Sequence, residues 1–279
     1  MTPDQLALRI DTLIEGAEAQ LNVVIQGTQR KLYADMVLLL KKLELDRNGY
    51  IKNNGSNRKI LRQASSVFDS SLRNSGYKTG LQEFTGTFSK ITAINEAYFA
   101  TVSAAFKPNA AFIKSLQTEA IRQIETMALN EGLVANVKSP LISILNKNIN
   151  SGGSFTGMLQ EVQGYIVGID KEGKLLRYSK TWTADALFNF SRAYQQSITK
   201  DLGLNTFYYA GGAIKDTRDF CRERLDQYWK RGDIEQWASL EWAGKNPGTT
   251  EASIFVYLGG YNCRHSLIPV HESVVPREV

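Results

Sequence analysis

Apolar residues recur at steps of three and four from the first turn of the chain: Leu6, Ile10, Leu13, Ala17, Leu21 and Val24, then less cleanly Leu32, Met36, Leu39 and Leu43. That period marks an amphipathic helix. Thr2 stands where a cap belongs, with Pro3 at the first helical position and Asp4 in the first turn. The stretch predicts one long helix, or two with a weak point at Gly27-Thr28. At about 1.5 Å per residue, roughly 40 residues reach about 60 Å, which implies an elongated arm. Asn48-Gly49 and the run from Asn53 to Asn57 are turn and loop chemistry.

Helical spacing then returns in Ile60, Ala64, Val67, Phe68 and Leu72. It returns again in Leu81, Phe84, Phe88, Ile91, Tyr98 and Val102, stopped near Lys107-Pro108, and in Phe112, Leu116, Ala120, Ile124 and Met127, ended by Gly132. Ser139-Pro140 opens a shorter helix through Leu145 and Ile149, and Ser154 is placed to cap a helix from Phe155 to Ile169. Aromatic stripes at this spacing are core positions rather than a cofactor pocket.

The turn Asp170-Lys171-Glu172-Gly173 is the preferred domain boundary. A strong helix follows through Tyr178, Trp182, Ala186, Phe190, Tyr194 and Ile198, closed by Gly203. After it the period shortens to two. Thr206–Tyr209, Ile254–Leu258 and Ser266–Val270 are expected strands, the last at an edge because Pro269 cannot donate to a ladder. Two short helices are expected between the first two strands, one capped by Asp216 or Thr217 and one running from Ile234 to Trp242 with Asp233 as its cap. The fold class is therefore α+β and predominantly α-helical. A long-helix arm or bundle covers 1–172, a small α/β domain with a short antiparallel or mixed sheet covers 173–271, and 272–279 is a tail.

Charge alters this picture in one place. Between Lys41 and Arg62 lie Lys41, Lys42, Arg47, Lys52, Arg58, Lys59 and Arg62 against only Glu44 and Asp46, a local excess equal to the +5 of the whole chain. Such a cluster suits phosphate or an acidic protein surface, or simply solvation at a helix end. Tyr50 is the one aromatic residue within it, which is not the interleaving that single-strand stacking uses. The longest apolar candidate, Met36 to Leu40, runs straight into Lys41-Lys42, so no membrane anchor is expected. Met1-Thr2-Pro3-Asp4 lacks the basic and apolar regions of a secretory signal, which predicts folding in a cytosol. In that reducing compartment Cys221 and Cys263 are expected as a packed thiol pair. With His265 and His271 they are the chain's only cysteine and histidine side chains, and no metal or other cofactor is assigned to these four candidates. A Cys-x-His pair departs from the usual spacing of zinc knuckles.

The segment from Trp182 to Val270 carries a set of short motifs. Ser191-Arg192-Ala193-Tyr194 lies on a helix and Phe207-Tyr208-Tyr209 on a strand. Asp216-Thr217-Arg218-Asp219-Phe220-Cys221 follows, and Asn262-Cys263-Arg264-His265 precedes the last strand. In this order they resemble the Mu F-like family of phage head morphogenesis proteins. The family pattern has an Arg-Ala pair on a helix, an Asp-x-Arg-Thr-Arg-x-x-Cys or -His element, and a terminal His-Pro-Asn-Cys-Arg-Cys before a strand. Here Gly260-Tyr261 stands in place of His-Pro and His265 in place of the second Cys. The resemblance covers about a third of the chain and points to Arg192, Asp216, Thr217, Arg218, Cys221, Asn262, Cys263 and Arg264 as motif positions.

The resemblance implies a non-enzymatic minor head protein acting in head morphogenesis and DNA packaging or retention. Its expected partners are the portal protein, the major capsid protein, or both, with packaged double-stranded DNA held through phosphates. Its expected place is the host cytoplasm during assembly and then the virion head. Two alternatives stand beside it. One is a metal-dependent nuclease built on Asp216, Asp219, Glu223 and Asp226, for which salt-bridged helix surface is the simpler account. The other is a helical adaptor of the neck or tail. No Gly-x-Ser-x-Gly, P-loop or His-Glu-x-x-His is present.

Overall fold

The computed structural model describes residues 1–276. Helices dominate: α1 (Pro3–Leu40), α2 (Gly55–Arg73), α3 (Tyr77–Val102), α4 (Ala110–Ala128), α5 (Glu131–Leu133), α6 (Ser139–Ser151), α7 (Phe155–Ile166), α8 (Lys174–Ser179) and α9 (Thr183–Asp201). Strand β1 (Thr206–Ala210), α10 (Asp219–Arg222), β2 (Tyr228–Lys230), α11 (Arg231–Gln236), α12 (Ile254–Tyr257) and β3 (Ser266–Val270) complete the chain. A π-helical stretch, Val134–Lys138, joins α5 to α6. No helix of the described residues is long and apolar enough to cross a membrane.

Contacts gather the chain into two compact units, each assembled from separated stretches. The sequence suggests a single boundary between 172 and 173, whereas the first unit takes Met1–Ala17, Thr85–Ile121 and Trp182 onward, and the second takes Glu18–Phe84 and Arg122–Thr181. Local composition marks turns well, but it carries no information about which helix turns pack together across a hundred residues.

The second unit is all helical. Its core includes Leu21, Ile25, Leu32 and Met36 from α1, Phe68 from α2, Leu141 and Leu145 from α6, and Met158 and Val162 from α7. α6 packs against both α2 and α7. The expected weak point at Gly27-Thr28 is unbroken helix. Thr28 Oγ1 donates back to Val24 O at 2.9 Å, and Gln29 Nε2 donates to Ile166 O, so the buried hydroxyl and amide N–H at this point are used without breaking the helix. The loop after α1 is tied down by Asn57, whose amide accepts from Glu44 N and donates to Glu44 O and Lys52 O.

The first unit holds the sheet. Its order is β2-β1-β3, antiparallel throughout, with Thr206 opposite both Lys230 and Val270. β1 is the middle strand and is buried along its whole length, so both of its faces are covered where a two-residue period implies alternation. β3 is an edge strand, as Pro269 requires. α9 packs on β3 and α12, and α3 reaches the sheet through Tyr98, whose hydroxyl donates to Pro269 O at 2.7 Å. Phe88 meets Phe190 at 4.6 Å between ring centroids. A buried amide pair, Gln195 Nε2 to Asn95 Oδ1 at 2.8 Å, ties α9 to α3.

Four local expectations are corrected. Ile254–Leu258 is not a strand. Ile254, Phe255 and Leu258 are buried at positions i, i+1 and i+4, one face of a helical turn, and Thr250 and Ser253 exchange side-chain bonds at its start. Neither Asp216 nor Thr217 caps a helix: α10 begins at Asp219, and Thr217 Oγ1 instead accepts from Ile214 N at 2.8 Å. Asp233 lies inside α11 and accepts from Lys230 N, the reaching-back half of a capping box, and the helix stops at Gln236. The helix expected through Tyr178 and Trp182 is two, α8 and α9. Strand β2 had no expected counterpart, because three half-exposed residues carry no periodicity. Of the tail, Glu272–Val274 forms one tight turn that His271 caps, and Arg277 to Val279 lie outside the described residues.

Tyr98→Phe leaves the buried Pro269 carbonyl without its donor, and the expected loss is about 1.5 kcal/mol of stability. Tryptophan fluorescence during urea unfolding checks this in the right unit, because Trp182, Trp229, Trp237 and Trp242 are the only tryptophans and all belong to it.

Candidate functional site

Arg192 is the centre of the site. It projects from α9, is 1% exposed, and is the largest of the fully buried side chains. Its guanidinium donates four hydrogen bonds to three backbone carbonyls. Nε and Nη2 reach His265 O at 2.9 and 2.6 Å, Nη2 reaches Cys263 O at 2.5 Å, and Nη1 reaches Val256 O at 3.0 Å. Nη1 also donates to Asn189 Oδ1 at 3.2 Å. The planar fork thus holds the Cys263–His265 loop and the end of α12 against α9, a task for which lysine lacks the donors.

The loop so held carries the second cysteine motif. Asn262 takes a left-handed backbone, φ 56°, and its N–H donates to Asp185 Oδ1 at 2.8 Å. Burial pushes the Asp185 carboxyl upward in pKa, opposed by that N–H and by the nearby Arg192 and Arg218. Arg218 Nη2 donates to Tyr261 O at 2.7 Å, which binds the first motif to the second. Arg264 points the other way, to Glu15 at 2.5 Å and Asp11 at 3.4 Å on α1.

These restraints bring Cys221 and Cys263 together, 42 residues apart in sequence, with their sulfurs 4.0 Å apart and both thiols free. His265 joins them, its Nδ1 3.6 Å from Cys263 Sγ. All three residues are buried, and one ligand atom from each lies within 4.8 Å of the others. His265 Nε2 is buried without a hydrogen-bond partner. The Cys221 thiol beside it holds Cys263 well below the ordinary thiol range, helped by His265 and Arg192 against the cost of burial. Cys221 is correspondingly raised, first by Cys263 and then by burial. Burial and the two cysteines also push the Tyr209 phenol far upward. Gly259 lies over both sulfurs: a Cβ there would stand 2.4 Å from Cys221 Sγ and 2.9 Å from Cys263 Sγ. A cavity of about 340 Å³ opens onto this group, lined also by Asp216, Thr217 and Arg218.

Of the residues expected from sequence, Arg192, Arg218, Cys221, Asn262, Cys263 and His265 meet here through direct bonds or the shared loop, while Arg264, between Cys263 and His265, turns its side chain to Asp11 and Glu15. Asp216 and Thr217 line the cavity. His271 does not join them; it is exposed and its Nδ1 pairs with Ser273. Asp185, Tyr209 and Gly259 were not anticipated. Only the doublet Gly259-Gly260 hinted at a close approach. The four carboxylates of the nuclease alternative do not share one helix, since α10 ends at Arg222, and among the described residues the only group close enough to hold a metal is Cys221, Cys263 and His265.

The basic cluster lies elsewhere, in the all-helical unit. Lys41, Lys42, Arg47, Lys52, Arg58, Lys59 and Arg62 are all exposed, and none of the seven makes an ion pair among the described residues. Arg58 bonds only the amide of Asn53, at 2.8 Å.

Comparison with family models, with curated proteins and with solved structures yields no match.

Arg192→Met strands three buried carbonyls, and the expected cost is at least about 3 kcal/mol. Arg192→Lys keeps the charge but recovers only part of it. Denaturant unfolding followed by tryptophan emission gives the ranking wild type, then Lys, then Met, and equal stabilities would refute the role assigned to the fork.

Proposed function

We propose that the protein is a structural component of a phage head, acting in head morphogenesis and in packaging or retention of DNA, at the portal or the inner capsid surface. The observation that carries this reading is the convergence of the motif positions. Of the positions that resemble the Mu F-like pattern, Arg192, Arg218, Cys221 and Cys263 are bonded to one another or to the same loop within a single unit. In this role the fork-held loop is scaffold, and the work is done by surfaces: helices facing portal or capsid protein, and the basic segment facing DNA.

The basic segment suits a sequence-independent task. Seven exposed cations on a helix end, a loop and the first turns of α2 can meet phosphates without reading a base edge. Neither neighbouring carboxylate pairs with one of them: Glu44 accepts from Asn54 Nδ2 at 2.8 Å, and Asp46 accepts from the N–H groups of Asn48 and Tyr50.

Two measurements test the reading. Duplexes of unrelated sequence should bind equally, with log K falling as log salt rises. Replacing Lys41, Lys42, Arg58, Lys59 and Arg62 by Ala should flatten that slope by about four. An unchanged slope removes the DNA role. Gold labelling of tagged protein in purified particles should mark the head at the portal vertex, and label confined to the neck or tail would overturn the head assignment in favour of an adaptor.

A further inference from the structure

We propose that Cys221, Cys263 and His265 form a zinc site with three protein ligands, its fourth position open to the adjoining cavity. The inference does not depend on the phage reading. It starts from the spacing of the ligand atoms. Zinc bonds of about 2.3 Å to sulfur and about 2.0 Å to nitrogen, at tetrahedral angles, set sulfurs about 3.8 Å apart and sulfur about 3.5 Å from nitrogen. The observed edges are 4.0 Å between Cys221 Sγ and Cys263 Sγ and 3.6 Å between Cys263 Sγ and His265 Nδ1. The remaining edge is at most 4.8 Å, so a small side-chain rotation closes the triangle.

Chemistry selects the ion. Two sulfurs and one imidazole suit zinc and other borderline or soft metals, whereas magnesium and calcium require oxygen ligands. Two thiolates cancel the charge of a divalent cation, so the loaded site is neutral and tolerates burial. The site is also built, in the sense that its ligands are held by other groups. Arg192 fixes the carbonyls of Cys263 and His265, the two ligands from the loop. Cys221 is placed by α10, whose preceding residue, Arg218, donates to the same loop. Gly259 leaves both sulfurs the room that any side chain would occupy. His265 is 6% exposed and turns Nδ1, the nitrogen counted here as a ligand, toward Cys263 Sγ.

The cavity of about 340 Å³ reaches all three ligands and gives the ion a way in and its fourth coordination place a solvent molecule. Asn262 and Gly260 shape that loop by positive φ, 56° and 92°, so the ligands sit on a backbone committed to this turn. His271, the remaining histidine, lies outside the group.

The test uses the full chain purified under reducing conditions, stripped with a chelator and titrated with zinc against a chromophoric competitor. One equivalent should bind, raise Tm by about 5 °C or more at a hundredfold excess over Kd, and leave no thiol free to react. Cobalt in place of zinc should give the sulfur-to-metal absorption and the visible bands of a tetrahedral two-sulfur site. His265→Gln should weaken binding at least tenfold, and His271→Gln should leave it unchanged. Cys221→Ser and Cys263→Ser should lose the cobalt spectrum; should either fail to fold, the wild-type cobalt spectrum and the histidine pair still decide. Absence of one-equivalent binding, an octahedral cobalt spectrum, or equal affinity in both histidine variants would overturn the proposal.

Discussion

A single guanidinium organises the C-terminal part of this protein. Arg192 is buried to 1% exposure on a helix, and the groups it satisfies are not side-chain carboxylates but the backbone carbonyls of a loop and of a short helix end. A buried cation is costly unless its donors are used, and a buried carbonyl is costly unless it accepts. Each side of that bargain solves the other's difficulty. The loop from Gly259 to His265 has almost no regular hydrogen bonding of its own, so without the fork it would need water at its carbonyls. With the fork it can be dry, and only a dry loop can press two thiols and an imidazole together under the sheet. Asp185 adds the compensating charge nearby, and its partial burial shows in its upward-shifted pKa.

The rest of the unit follows from where that loop is anchored. β3 starts directly after His265 and pairs along the full length of β1, so the fork sets the register of the edge strand as well as the position of the cysteines. Around them Phe220 stacks on Trp242 at 4.0 Å and meets Trp237 edge-on, while Arg224 lies over both Phe220 and Trp237. The aromatic cluster closes the far side of α10. A helix of four residues has little stability of its own, and here it is held by what packs on its two faces.

Much of this was legible in the sequence where a pattern is long. The helical period through Leu6 to Leu43 predicts α1, the strand at Thr206–Tyr209 matches β1, and Pro269 marks β3 as an edge strand. Short elements escaped. Ile254–Leu258 has strand composition, but five residues just before Gly259-Gly260 can bury the same side chains as one helical turn, and propensity does not choose between them. At the site, the cysteines and His265 were visible as residue types, yet their value depended on distance, which no one-residue spacing reveals. Asp185 and Gly259 were invisible for a related reason: each acts through a neighbour brought to it from about eighty residues away or across a loop. The partition into two units shows the same limit at larger scale, because α1, α3 and α4 each contribute residues to both.

The order of the chain adds a consequence of the Arg192 fork in time. The carbonyls it serves belong to residues 256, 263 and 265, so they lie 64 to 73 positions downstream. At roughly 5–20 residues per second, a ribosome delivers the last of them roughly 4 to 15 seconds after the arginine itself. Through that interval α9 must keep a charged group in water on the face that later becomes the interior. The fork therefore cannot close until the loop that carries its acceptors has been made.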